Sequence, residues 1–327
     1  MTIDMPTDEV LRDAVALACR APSLHNSQPW QWIKQGESLD LFGDSDRILP
    51  STDAFGRQMI ISCGVALNHV QSAFAAVGWS TTVARIPNPN NAKHLARISF
   101  RRSPNISEPE VERAAAIARR RTDRLPLAEP ADWATFEMVV RNILARYETD
   151  LAVLPTESRP ELAKASELTA GIRRYDSMYQ AELNWWSGHS GLAEGVPRDA
   201  LVSRAEDRRV DVGRRFPALD TIERRGEIGE DRATIVVLMT RGESPQELLS
   251  CGEALSALLL EATIDGMATC PLTHITEIPQ SRAIVRKLLG GKGFPQVIVR
   301  LGVAPKGTDQ PPATLRKPLA DVLEFRS

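Results

Sequence analysis

Two guanidiniums and a hydroxyl alternate in the run Arg120-Arg121-Thr122-Asp123-Arg124. In an extended segment alternate residues point the same way, so Arg120, Thr122 and Arg124 converge on one anion. A phosphate suits them, because arginine offers paired N–H donors that match its oxygens. The same run also suits a solvated helix end, where arginine favours the C-terminal dipole. Arg316-Lys317-Pro318 is a smaller basic cluster open to the same two readings.

A different chemistry is offered by the loop 21–32, Ala21-Pro22-Ser23-Leu24-His25-Asn26-Ser27-Gln28-Pro29 followed by Trp30-Gln31-Trp32. Pro22 and Pro29 restrain the backbone, while Ser23, His25, Asn26, Ser27 and Gln28 supply donors and acceptors without a full charge. Such a loop suits a flat heteroaromatic ligand with carbonyl and imino edges. It equally suits a helix terminus capped by Ser and Asn, with tryptophan in the core. Cys270-Pro271-Leu272-Thr273-His274 presents backbone that can reach a ligand, or a plain turn. Adjacent Trp185 and Trp186 point about 100° apart on a helix, which leaves one free to face a cavity.

Several chemistries are excluded. No G-x-G-x-x-G follows a strand, and no G-x-x-x-x-G-K-[ST] or G-x-S-x-G is present. The five histidines show no metal-ligand spacing and the four cysteines no Cys-x-x-Cys, so no metal is expected and the thiols read as reduced and buried. Forty basic and 42 acidic residues leave a net charge of −2, so no overall basic field attracts nucleic acid or anionic lipid. No apolar run approaches the ~20 residues of a membrane span. Asp4, Asp8 and Glu9, without Lys or Arg, make the first ten residues unlike a secretory signal. The expected location is the cytoplasm.

The elements that must position these residues alternate in type. Residues 8–20 read as a helix with Thr7 as N-cap, 30–33 and 39–42 as strands, 54–77 as a long helix, and 81–86 and 95–100 as strands. After a junction at 103–110, helices are expected at 110–120, 131–147 and 158–187, with a strand at 150–154 between the last two. A strand at 234–240, helices at 245–265 and 277–290, and a strand at 297–303 complete an α/β or α+β chain. Residues 198–232 stand apart. Eighteen of these 35 are charged and the apolar positions keep no period, which reads as a lid or a disordered excursion.

Shifting the chain by 188 residues places Ser62-Cys63-Gly64-Val65-Ala66-Leu67 on Ser250-Cys251-Gly252-Glu253-Ala254-Leu255. Seven of the twenty positions from 62 to 81 are then identical without a gap. The order helix, glycine, then strand or turn with threonine recurs around each copy, which points to an internal duplication.

On these residues the chain resembles the FMN-dependent nitroreductase family, and within it the Acg-like branch. Ala21-Pro22-Ser23-x-x-Asn26-Ser27-Gln28-Pro29-Trp30 is similar to the family's A-P-S-S-x-N-x-Q-P-W loop. Arg120-x-Thr122-x-Arg124 resembles its phosphate-holding R-x-S-x-R/K segment, the Ser-Cys-Gly helices its central helix, and Thr314-Leu315-Arg316-Lys317-Pro318-Leu319 its basic C-terminal phosphate contact. The resemblance implies a nitroreductase-like α+β fold, built in one chain as a pseudo-dimer of two related halves, 1–108 and 109–327, with 198–232 as a charged lid. It implies one FMN per chain, because the proline-tryptophan loop occurs once, in the first half, and the phosphate arms once, in the second.

By the same resemblance, Pro22, Ser23, Leu24, His25, Asn26 and Gln28 address the isoalloxazine, and Arg120, Thr122, Arg124, Arg316 and Lys317 the phosphate. The backbone of Pro271, Leu272 and Thr273 lies near flavin N5, and no side chain is catalytic, since N5 carries the chemistry. The implied function is hydride transfer from NAD(P)H to a nitro-aromatic or quinone-like acceptor. Leu24 stands where the family has a second serine, and Thr273-His274 where many members have small glycines, which crowds the face a nicotinamide must stack on. The alternative implied by that crowding is an FMN storage protein with a covered flavin. The partners expected are a small-molecule substrate or none, with a monomer acting as pseudo-dimer or a homodimer of these.

Overall fold

The computed structural model describes residues 5–189, 191–217, 223–305, 311 and 313–326. In chain order the elements are α1 (Asp8–Ala18), β1 (Trp30–Gln35), β2 (Ser38–Gly43), α2 (Arg57–Ala75), β3 (Trp79–Arg85), β4 (His94–Arg102) and α3 (Glu108–Arg119). There follow α4 (Trp133–Leu144), β5 (Asp150–Leu154), α5 (Arg159–Arg174), α6 (Ser177–Trp185), β6 (Ser187–His189), β7 (Val196–Pro197) and α7 (Arg204–Arg209). The last are β8 (Thr234–Thr240), α8 (Pro245–Ile264), β9 (Ala268–Leu272), α9 (His274–Glu277), α10 (Pro279–Leu288), β10 (Phe294–Gly302) and β11 (Leu323–Arg326). They fall into two units, Met1–Arg120 with Ser244–Ile264 and Leu315–Ser327, and Arg121–Glu243 with Asp265–Thr314.

The first unit is built on a five-stranded sheet in the order β11-β1-β2-β4-β3. Tight connections make β1–β2 antiparallel, whereas β11 arrives from the far end of the chain and pairs parallel to β1, with Trp32 opposite Leu323. Thr7 caps α1 through a 3.4 Å bond from Val10 N, as the sequence predicts, and Leu11, Ala14, Val15 and Ala18 form its buried face. Asp53 opens α2, accepting from the backbone N–H groups of Gln58 at 3.0 Å and Met59 at 2.8 Å. α2 and α8 are buried on almost every face, which is why neither carries a one-sided apolar stripe.

These two helices hold the repeated Ser-Cys-Gly motifs, and they cross at the repeated glycine. A Cβ on Gly64 would stand 2.1 Å from the carbonyl oxygen of Leu249 and 2.9 Å from Cα of Gly252. A Cβ on Gly252 would stand 2.0 Å from the carbonyl oxygen of Ile61 and 2.8 Å from Cα of Gly64. Only glycine admits so close an approach of two backbones. Nearby, Arg85 forms a bidentate pair with fully buried Glu253, at 2.7 and 2.8 Å.

The second unit has a four-stranded antiparallel sheet, β5-β8-β10-β9. β8 and β10 read as apolar runs because they are central; β9 is an edge strand, where Pro271 sacrifices no needed ladder bond. Ile235, Val237, Ile298, Leu272, Leu162 and Ala165 belong to one core under α5, with Ile275 and Val285 closing it.

Two sequence expectations need correction here. The helix expected at 158–187 is two helices, because Asp176 leaves the helical conformation and its carboxylate caps α6 at Tyr179 N, 3.0 Å away. The helix expected at 277–290 is α10, which begins at Pro279 after extended Ile278; the short α9 ahead of it was not expected. The described part of 198–232 is not structureless. Ser203 and Glu206 form a capping box on α7, Arg209 donates to the carbonyls of Arg225 and Ile228 at 2.7 Å each, and Arg225 is buried against Asp123. Charge pairs and scattered buried apolar residues (Leu201, Val210, Val212) hold this stretch without a periodic stripe, so its periodicity gave no warning of it. Residues 218–222 lie outside the described residues.

Candidate functional site

The candidate residues gather in two groups, one in each unit. In the first, Ser23–Gln28 forms a tight loop after α1. His25, Asn26 and Gln28 carry φ of +50°, +58° and +50°, the left-handed region that costs a residue with a Cβ roughly 1–3 kcal/mol. Such a conformation persists only where its surroundings over-determine it. Gln28 N donates to Ser23 Oγ at 2.9 Å, Leu24 N to Ser62 Oγ at 3.4 Å, and the thiol of Cys63 to the carbonyl of Pro29 at 3.1 Å. Arg47 Nε donates to the Ser27 carbonyl. Thus Ser62 and Cys63 of the repeated motif hold the loop, while Gly64 receives the crossing helix.

The C-terminal tail closes this loop from the other side. Asn26 Nδ2 donates to the Leu315 carbonyl at 3.2 Å, and Gln28 Oε1 accepts from Lys317 N at 2.9 Å. Arg316 caps the end of α1, donating to the carbonyls of Cys19 at 2.9 Å, Arg20 at 3.0 Å and Ala21 at 3.3 Å. The structure therefore joins Pro22–Gln28 to Arg316 and Lys317, although nearly 290 residues separate them. Trp30 and Trp32 are fully buried with their indole N–H groups toward the thiol of Cys19, which burial pushes up to about 12.

Asn26 is the loop's chemical opportunity. Its Nδ2 must face the Leu315 carbonyl, because a carbonyl can only accept, and this fixes the amide orientation. Oδ1 is then buried and accepts no hydrogen bond from any described residue. A buried acceptor so placed costs about 1–3 kcal/mol until a ligand N–H supplies the missing donor. Arg120, also in this unit, is 6% exposed. With Arg316 it reinforces what burial does first, holding His69 neutral far below the usual histidine range.

In the second unit, Thr122 forms a parallel bridge to Thr269, and Asp123 N donates to the Thr269 carbonyl at 2.8 Å. The segment is extended, as expected, and Asp123 turns to the buried Arg225 while Arg124 takes another direction. The one hydrogen bond of Arg124 among the described residues goes to the Ala200 carbonyl at 3.3 Å, and its guanidinium lies 5.3 Å from the Phe216 ring centroid. Burial, helped by nearby Arg214, pushes its pKa below that of a free arginine. A cation without a carboxylate bonded to it is a natural anion holder.

β9 delivers Pro271 and Leu272 opposite Val299 and Ile298, and Thr273 ends the strand. Thr273 Oγ1 donates to Glu277 Oε1 at 2.7 Å and accepts from Arg214 at 3.2 Å. Arg214 also pairs with Glu277 and donates to Tyr179 Oη at 2.9 Å. Sequence reasoning passed over Arg214, Tyr179 and Glu277. Their signal was faint: Arg214 lies in the charged stretch, and Tyr179 was hidden inside the helix expected at 158–187. Of the neighbouring pair Trp185 and Trp186, one of which was expected to face a cavity, Trp185 is 66% exposed. No helix among the described residues is long and apolar enough to cross a membrane.

No family model matches the chain. It is 48% identical over 323 residues to a Mycobacterium tuberculosis protein named "Putative NAD(P)H nitroreductase acg", an alignment covering 99% of this chain and 98% of that one. A second protein of that organism, also named "Putative NAD(P)H nitroreductase", is 37% identical over 330 residues, covering 99% and 94%. The solved FMN and NADPH-dependent nitroreductase NfnB from sphigopyxis sp. strain HMH is 15% identical with a TM-score of 0.43, covering 66% of this chain and 99% of that one.

Proposed function

The chain belongs to the nitroreductase family, in its Acg-like branch, and from that premise we propose that it is an FMN-binding NAD(P)H oxidoreductase acting on a nitro-aromatic or quinone-like acceptor. The observation that carries this reading is the loop Ser23–Gln28, with its three left-handed residues and the buried, unsatisfied Oδ1 of Asn26. Bound FMN supplies the hydride transfer through its N5.

The chain's residues supply binding, orientation and polarity. Pro22, Ser23, Leu24, His25, Asn26 and Gln28 are assigned to the isoalloxazine, with Asn26 Oδ1 accepting from an imide-type N–H. Arg120, Thr122, Arg124 and Lys317 are assigned to the phosphate, with Arg316, which spends three donors on the end of α1, steadying that group. Pro271, Leu272 and Thr273 are assigned to the redox edge of the ring. We take the chain as two nitroreductase-like halves, 1–108 and 109–327, with 198–232 as a lid, one FMN per chain, and a cytoplasmic location. The four buried free thiols and the small net charge agree with that location.

The test is anaerobic addition of NADPH or NADH to the FMN-loaded chain, following the visible flavin band. Prompt bleaching is the expected result. A preparation that stays colourless after FMN is added overturns the cofactor assignment. Bleaching by dithionite but not by excess nicotinamide overturns the reductase reading.

A further inference from the structure

The second unit contains a cavity of about 450 Å³, within the usual range for small-molecule sites, that the proposed flavin residues do not line. Its wall includes Arg173, Arg174, Arg214 and Arg215 from two separate stretches of chain, together with Tyr179 and His274. Among the described residues, no Asp or Glu lines it. Three carboxylates are nevertheless close behind the wall: Asp176 pairs with Arg173 at 2.9 Å, Asp207 with Arg215 at 2.7 Å, and Glu277 with Arg214. Arg174 has no hydrogen bond or ion pair with any described residue; its guanidinium lies 5.8 Å from the Tyr175 ring. Among the described residues, four cations backed by three anions leave one positive charge at this wall. That balance matches a monoanion such as a carboxylate better than a phosphate dianion.

The wall also has an aromatic side. Tyr179 is locked, with Arg173 stacked 4.4 Å from its ring centroid and Arg214 bonded to its hydroxyl. Phe216 and Leu183 extend the apolar surface.

The third feature is His274, 3% exposed. Ser166 Oγ donates to the Gly213 carbonyl at 3.1 Å, which uses its single proton, so His274 Nε2, 2.8 Å away, is the donor to Ser166. That network sets the tautomer. Burial, then Arg214 and Arg215, keep the ring neutral. Nδ1 is left as a buried lone pair with no partner among the described residues, on a residue that lines the cavity. It calls for a hydrogen-bond donor on the guest.

We propose that this cavity binds a small aromatic monocarboxylate carrying a hydroxyl group: arginines hold the carboxylate, Tyr179 and Phe216 the ring, and His274 Nδ1 accepts from the hydroxyl. This goes beyond the flavin reading and does not depend on it.

Titration calorimetry of the full chain, at constant flavin content, with the three hydroxybenzoate isomers, benzoate and phenol tests the site. At least one isomer is expected to bind saturably, about tenfold tighter than benzoate, and phenol to show no saturable binding. R174Q combined with R215Q, with near-UV circular dichroism unchanged, should weaken binding at least about tenfold. H274F should erase the preference over benzoate. Failure of every isomer to saturate, equal binding of phenol, or undiminished affinity in the double arginine variant would each overturn the proposal. None of these readouts involves flavin reduction, so the two readings fail separately.

Discussion

The hydroxyl of Ser256 donates to the amide oxygen of Asn68 at 2.7 Å, and these two residues are 188 positions apart, the same shift that superposes the Ser-Cys-Gly motifs. Gly64 and Gly252, also 188 apart, meet Cα against Cα one turn earlier. When each residue of a repeat touches its own counterpart, the copies are related by a local two-fold axis that runs through the contact. The helix pair α2–α8 thus carries a local two-fold relation at its crossing.

Gly64→Ala and Gly252→Ala should each destabilise the protein by about 1–3 kcal/mol or more, because the added methyl meets backbone that cannot step aside. Gly171→Ala is the control: nothing stands within 4 Å of its Cβ, and a helical alanine there should add up to ~1 kcal/mol. Urea denaturation measures both. Equal small effects at all three sites would mean that the helices do not cross where described.

Acid sensitivity should begin at the histidines. Burial holds His69 and His274 neutral well below the usual 6.5. Between those depressed values and 6.5 the unfolded chain binds protons that the folded chain refuses. Stability therefore falls as pH drops below about 6.5, by up to ~1.4 kcal/mol per pH unit for each histidine. The depressed carboxyls of Asp231 and Glu206 act in a lower window, contributing stability above about pH 4 that is lost only as pH falls further. Denaturation at roughly pH 7.5 and pH 5 separates the two windows, and His274→Gln should remove about half of the upper slope. A flat profile between these pH values would refute the assignment.

Asp231 should be the costliest carboxylate to neutralise. It accepts from Leu127 N at 2.8 Å, from Arg159 at 2.8 Å and from both Nε and a terminal nitrogen of Arg300, whose side chain is 1% exposed. Asp231→Asn strands a buried guanidinium and should cost about 3–5 kcal/mol. Glu161→Gln breaks only the exposed, solvent-screened pair with Lys164 and should leave thermal stability nearly unchanged. Comparable losses in thermal stability for the two variants would sink this ranking.

Arg124→Ala should weaken FMN binding by about 1.5–3 kcal/mol, the worth of a charged hydrogen bond, while the fold survives the loss of a single 3.3 Å bond to Ala200. Fluorescence titration of FMN reads the affinity. An unchanged value removes Arg124 from the phosphate group.

Much of the secondary structure was legible in the residues alone. The strand at 150–154 and the apolar run at 234–240 match β5 and β8 end to end, and Thr7 was readable as the cap of α1. Local periodicity reports which side of an element is buried, so it sufficed there. It failed at Ala268–Leu272, where Pro271 looked like a turn, because tolerance of proline depends on lying at a sheet edge. It also missed Leu323–Arg326, whose strand character comes from pairing with β1 almost three hundred residues away.

The candidate site divides the same way. The proline-tryptophan loop announced itself by composition, but its left-handed backbone at His25, Asn26 and Gln28 is held by Ser62, Cys63 and the tail at 315–317. The charged stretch 198–232 was unreadable because its charges are satisfied at a distance, Arg225 by Asp123 and Asp231 by Arg300. Residue order determines the chemical types and the local period. Which cation meets which anion, and which buried lone pair is left waiting, is decided only when the folded chain removes water from both.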